Sequence, residues 1–358
     1  MAIAKQRESN LELYRIIVMI LIVAHHYVVN SGLTELMSQA PTSVKSLYLY
    51  AFGIWGKTGI NCFVLITGYF MCQSRITLRK FSKLLLWIYF YKIVIYFIFC
   101  ITGYVDFSVR TLGVVLLPIR NITDSFVGCY LVFFLTIPFL NILVKNMNRR
   151  QHLLLLALTL FIYSLWAKVP HIEVRMNYVT WFGILYLISS YMRIYNVFDG
   201  ISHRKWGWIT LCFVVVSVLS VWTLAFLGVH YVYFFVFDSN AILAVIVSVC
   251  AFMYFKTCPL QYHRWINSVG ASTFGVLLIH DNCDALRQWL WKDTLNNVAW
   301  FSDQSHMIYL HSIVSVLGIF IICTLIDQLR LQYIEKPLFK ALDSYMEKRG
   351  NRFVFQWT

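Results

Sequence analysis

The stretch "RIIVMILIVAHHYV", residues Arg15–Val28, decides how the chain is read. Between its arginine and its two histidines every residue is apolar, and the apolar character extends over residues 11–30. About 20 such residues suffice for a helix to cross the hydrocarbon core of a bilayer. Charged and titratable groups are costly there and are kept for a partner or a task. On a helix, eleven steps place Arg15 and His26 within about 20° of one line and about 16 Å apart, whereas His25 is turned about 80° away. Arg15 and His26 therefore face one wall, with Asn30 one turn beyond His26 on nearly the same face.

The rest of the chain agrees with a membrane reading. Of its 358 residues 59% are hydrophobic, 17% aromatic and only 13% charged, against about 25% charged in soluble domains. The expected fold is all-α, a polytopic integral membrane protein forming one domain over residues 1–358, with a short cytoplasmic tail from about residue 331. The net charge of +14 is scattered over short loops and forms no stripe of the kind that binds nucleic acid. None of the nine cysteines has the C-x-x-C spacing of a metal or redox site. Lys5 and Arg7 precede the first apolar run, but that run is too long for a signal peptide and no A-x-A site follows, so it reads as an uncleaved first span.

Ten windows qualify as spans, near 11–30, 50–72, 83–104, 126–145, 152–168, 178–195, 207–228, 237–256, 267–285 and 307–330. With the N-terminus inside, 20 of the 30 basic residues fall in cytoplasmic segments and 8 outside, while Arg15 and Lys92 lie within spans. This asymmetry predicts ten transmembrane helices with both termini in the cytoplasm.

The topology assigns depths to the polar groups. Arg15 and Glu12 lie near the inner face, His25 and His26 in the outer leaflet. Lys57 and Asn61 lie in the outer half of the second span, with Gly68 and Tyr69 in its inner half. His280, Asp281 and Asn282 reach the outer half of the ninth, so His26 and His280 are expected to share one site. "SRITLRKFSK", residues 74–83, gathers Arg75, Arg79, Lys80 and Lys83 at the inner face, as an anion site beside Arg15 or as ordinary positive-inside charge. Plainer readings stand beside these. Arg15 can be a snorkelling cation paired with Glu12; the histidines can be a hydrogen-bonded structural pair, the favoured reading for His25 alone. Asp281 can be solvated at the interface. Lys92 either lines a cavity or snorkels.

Taken in order, these residues resemble the membrane-bound acyltransferase 3 family, the polytopic O-acyltransferases of bacterial surface glycans. "LELYRIIVMILIVAHH" carries an Arg-x10-His pattern preceded by the acidic Glu12. "GINCFVLITGYF", residues 59–70, is similar to the family's second-helix segment and is followed by a basic loop. "STFGVLLIHDN", residues 272–282, with "FLTIPFLN" and "FGILYLISSYMR", resembles a subgroup acting on capsule or exopolysaccharide sugars. The chain departs from that subgroup at Ser125, where Trp is usual, at Phe134, often Tyr, and at Thr67, commonly Ser.

The resemblance covers nearly all of residues 7–339 and implies a cytoplasmic acyl-CoA donor, commonly acetyl-CoA, no metal, and an extracytoplasmic glycan acceptor. It implies a multi-pass protein of the bacterial cytoplasmic membrane, in contact with lipid, with a homodimer or a glycan-synthesis complex as candidate assemblies. In this reading Arg15, Tyr69, Arg79, Lys80 and Lys83 would bind the donor, and His26 would act as general base or transient acyl carrier. His280 and Asn61 would orient the acceptor or polarise the carbonyl, with Asn30 and Asn282 beside them. The rival is a secondary transporter or flippase for a glycan or small anion. Against it stand the lack of paired Gly- or Pro-broken helices and of an acidic residue deep in a span.

Overall fold

The computed structural model describes residues 8–117, 126–169, 171 and 174–348, and among these the chain forms helices and no strand. In chain order the helices are α1 (Ser9–Val29), α2 (Leu33–Gln39), α3 (Val44–Gly53), α4 (Gly56–Met71), α5 (Leu78–Ile101), α6 (Val109–Val115), α7 (Phe126–Asn146) and α8 (Arg149–Leu160). There follow α9 (Tyr178–Tyr195), α10 (His203–Phe226), α11 (Ile242–Lys256), α12 (Arg264–His280), α13 (Asp284–Arg287), α14 (Asn297–Ser302), α15 (Met307–Arg330) and α16 (Lys336–Lys348). Ser125, one of the departures noted above, lies outside the described residues.

All ten expected windows are largely helical, and among the described residues seven helical stretches are long and apolar enough to cross a membrane. In the other three windows, α9, α11 and α12, of 18, 15 and 17 residues, are shorter or more polar. α9 is buried along most of its length, so neighbouring helices and not lipid surround its serines. The exterior is apolar: α15 exposes Ile313, Val314, Leu317, Ile321, Ile322 and Leu325, whereas Asn61, Ser189, Ser248 and Asp327 are fully buried. Polar groups turned inward and apolar ones outward are the arrangement that a hydrocarbon solvent selects.

Three boundaries differ from the sequence reading. The second window is two helices, because the chain breaks between Gly53 and Gly56. The ninth ends at His280 and not near residue 285, with Asp281 as its C-cap. The tenth does not stop at Arg330. A π-helical stretch, Leu331–Glu335, carries it into α16, so the expected tail begins as a continuation of the last long helix.

α1 is the hub, packing against α3, α4, α11, α12 and α15. Close approach depends on small residues, as is usual between membrane helices. A Cβ on Gly59 would meet Ile22 of α1 at 2.7 Å, and one on Gly68 would collide with Ser189 of α9. The glycines of "GINCFVLITGYF" thus seat α4 between α1 and α9.

Candidate active site

α1 is helical without interruption, so the phase inferred from its sequence holds: Arg15 and His26 line one cavity of about 220 Å³. His25 also touches this cavity, and further wall comes from Lys57 and Thr67 of α4, Trp87 of α5, Tyr130 of α7, Phe274 of α12, and Asp281. The cavity therefore runs along α1, from a guanidinium near one end to an imidazole near the other.

The histidine end is organised by hydrogen bonds. His280, 1% exposed, lies behind His26. Its Nδ1 donates to the Val276 carbonyl oxygen at 2.6 Å, which requires the proton on that nitrogen. In the neutral ring Nε2 then holds the lone pair, and His26 Nδ1 donates to it at 2.9 Å. The proton of neutral His26 is thereby committed to Nδ1, leaving Nε2 as an acceptor. Asp281 Oδ2 lies 3.7 Å from His26 Nε2, close enough to stabilise an imidazolium formed there. Asp281 is itself held by Arg287 Nη1 at 3.2 Å and by the Asn30 amide at 3.4 Å. The geometry thus fixes the tautomer of neutral His26, buries His280 behind it and sets a carboxylate near its Nε2.

His280 was expected to face the acceptor. Both of its ring nitrogens are occupied, so it orients His26 instead. His25 follows the structural reading: its Nδ1 donates to the Gly53 carbonyl at 2.6 Å. That bond takes a carbonyl at the break between α3 and α4, and the ring fills the space over Gly56, where a Cβ would collide with it.

At the other end, Arg15 Nη1 bonds Glu12 Oε1 at 2.8 Å while its side chain still lines the cavity. The other expected donor-binding residues do not join it. Arg79 pairs with Asp343 at 2.7 Å and Lys83 with Glu335 at 2.5 Å, both across to the C-terminal helix, and Lys80 Nζ donates to the Arg75 carbonyl at 2.8 Å. Tyr69 OH accepts from Arg193 Nη1 at 2.6 Å. None of these four lines the cavity.

Asn61 is also used elsewhere: its amide donates to the Ser239 carbonyl at 2.7 Å and accepts from Trp181 Nε1 at 2.9 Å. Asn282 donates to the Leu278 carbonyl at 2.8 Å, capping its own helix. Both were expected at the acceptor, and both serve the framework because their polar atoms find partners there.

Sequence reasoning missed a buried charge cluster beside the cavity. Asp327 Oδ1 accepts from Trp87 Nε1 at 3.0 Å, Tyr91 OH at 2.8 Å and Arg330 Nε at 2.9 Å. The π-helical spacing brings residues five apart together, so Arg330 Nη1 also bonds Glu335 Oε2 at 2.6 Å. Asp327 is fully buried, but its charge is spent on Arg330 and on holding the Trp87 wall. The second window is broken at residues 53–56, where two glycines and no proline mark the break.

A family model described as an acyltransferase domain matches residues 8–327. No curated protein and no solved structure matches the chain.

Proposed function

We propose, for a chain that belongs to the acyltransferase 3 family, that it moves an acyl group, most simply acetyl, from cytoplasmic acyl-CoA to a hydroxyl of an extracytoplasmic cell-surface polysaccharide or its lipid-linked precursor. The observation that carries this reading is the His26–His280 pair at 2.9 Å, set in the same cavity as Arg15. Ten spans across the bacterial cytoplasmic membrane, with both termini in the cytoplasm, orient the cavity, with Arg15 toward the cytoplasm and His26 toward the outer leaflet. This orientation follows from the basic-residue asymmetry. Arg15 stands about 16 Å from His26 along the helix, a separation that a pantetheine arm can bridge. The guanidinium meets the anionic part of the donor while the thioester lies at the histidine.

The acceptor hydroxyl gives its proton to His26 Nε2 as its oxygen attacks the thioester carbonyl carbon. The imidazolium, faced by Asp281, returns the proton to the departing CoA sulfur. Neutral His26 presents its lone pair at Nε2, the nitrogen that would take the proton as general base or carry the acyl group transiently. Apolar walls limit competing attack by water. Arg79, Lys80 and Lys83 at the inner face would meet the CoA phosphates as the donor enters, exchanging Asp343 and Glu335 for phosphate.

The test uses purified protein in lipid, labelled acetyl-CoA and the native surface glycan. Wild type transfers label, His26→Ala does not, and His25→Ala keeps substantial turnover with lower thermal stability. Full activity of His26→Ala would overturn the reading.

A further inference from the structure

The cavity holds one cation that the transfer scheme leaves idle. Lys57 sits at the start of α4, just past the break at Gly53–Gly56, and its side chain lines the cavity with His26 and Asp281. The other charges at the cavity are matched: Arg15 by Glu12 at 2.8 Å and Asp281 by Arg287 at 3.2 Å. Among the described residues, the partner of Lys57 Nζ is neutral: it donates to Tyr178 OH at 2.9 Å, with the Tyr178 ring centroid 5.5 Å away. Among the described residues no carboxylate forms an ion pair with it. An ammonium carries three donors, so two remain for a substrate.

With the histidines neutral, the described residues thus leave one positive charge at the cavity without a carboxylate in ion-pair contact. A cation retained in an apolar bundle without a counter-ion is expensive, and its expense is offset when negative charge develops next to it. Resting on the acyltransfer reading above, we propose that Lys57 stabilises the oxyanion of that reaction. As the acceptor oxygen bonds to the thioester carbonyl carbon, the C=O π electrons move onto oxygen. The acceptor proton goes to His26 Nε2, and the Lys57 ammonium donates to the new oxyanion. Collapse re-forms C=O and breaks the C–S bond, and the sulfur recovers the proton from His26. Tyr178 is a positioning residue, since its hydroxyl fixes the ammonium at 2.9 Å.

The roles separate in acetyl-CoA turnover by the full chain in lipid vesicles. CoA release is followed without acceptor, where water attacks, and with methyl glucoside or methyl glucuronide as neutral and acidic probes. Lys57→Met is expected to lower kcat about 10²–10³-fold in all three conditions, the range for losing one oxyanion donor. KM for acetyl-CoA should stay within about threefold, since the interaction belongs to the transition state. Lys57→Arg should recover at least about tenfold of that loss, because it restores a charged donor.

Unchanged kcat in Lys57→Met, or a loss confined to methyl glucuronide, overturns the proposal, the latter outcome marking an acceptor-anion site. A folded Lys57→Arg no better than Lys57→Met also overturns it, and this comparison stands even if Lys57→Met is unstable. Absence of CoA release by wild type in every condition overturns the acyltransfer reading itself, whereas release by wild type with an unaffected Lys57→Met overturns only the role of Lys57.

Discussion

The chemistry at His26 is set by the residue behind it. A single imidazole in an apolar wall can present either nitrogen; His280 removes that freedom by accepting from Nδ1 while its own proton is held by the Val276 carbonyl. His280→Ala should therefore lower kcat without changing KM for acetyl-CoA. A loss of about 10–100-fold corresponds to an orienting hydrogen bond worth about 1.5–3 kcal/mol. His280→Gln, whose carbonyl can accept from the same N–H, should restore part of it. Steady-state kinetics on the three proteins decide the matter, since a merely space-filling residue would not distinguish Ala from Gln in this way. Helical phase selects His26 over His25 from spacing alone. It does not show which nitrogen faces the substrate, because that depends on a partner 254 residues away.

At the scale of the element, the decisive feature is the break between α3 and α4. The window 50–72 reads as one continuous apolar span, and no proline interrupts it. The interruption is stabilised from outside, by His25 bonding the Gly53 carbonyl and filling the space over Gly56. Its consequence is to place Lys57 on the first turn of α4, against the cavity. Gly56→Ala forces a methyl group into the His25 ring and should cost about 1–3 kcal/mol, as overpacking does in a tight core. A lower thermal midpoint in lipid, together with reduced turnover, is the expected result. Wild-type stability would show that the His25 contact does not hold the break.

For the whole molecule, the long C-terminal helix is tied to α5 through buried charge. Asp327, Arg330 and Glu335 are each no more than 3% exposed, and Lys83 closes the set against Glu335. Gly275 of α12 packs so closely on Asp327 that a Cβ there would collide with it. Breaking a buried ion pair costs about 3–5 kcal/mol, whereas replacing both partners with apolar groups of similar size can be nearly neutral. Asp327→Leu and Arg330→Met should each lower the melting temperature markedly, and the double variant should lie closer to wild type than their summed effects. Additive losses in a thermal double-mutant cycle would mean that the pair is not coupled. Loss of Asp327 should also reduce turnover, because it releases the Trp87 wall.

The amino-acid sequence alone determined that the chain is helical and built for a membrane, roughly where its long helices run, and that Arg15 and His26 share a face. Those properties follow from composition and from the 3.6-residue period, which are local. The sequence also suggested Asn61, Asn282 and Tyr69 as ligand-facing. Only the tertiary structure decided that their polar atoms are taken by Ser239 and Trp181, by Leu278, and by Arg193. It likewise decided that His280 stands behind His26, that Asp327 is buried with Arg330, and that Lys57 lines the cavity with Tyr178 as its partner among the described residues. The physical reason is the same throughout: a buried polar group in a bundle is defined by which distant helix supplies its hydrogen-bond partner, and helix spacing within one segment carries no record of that partner.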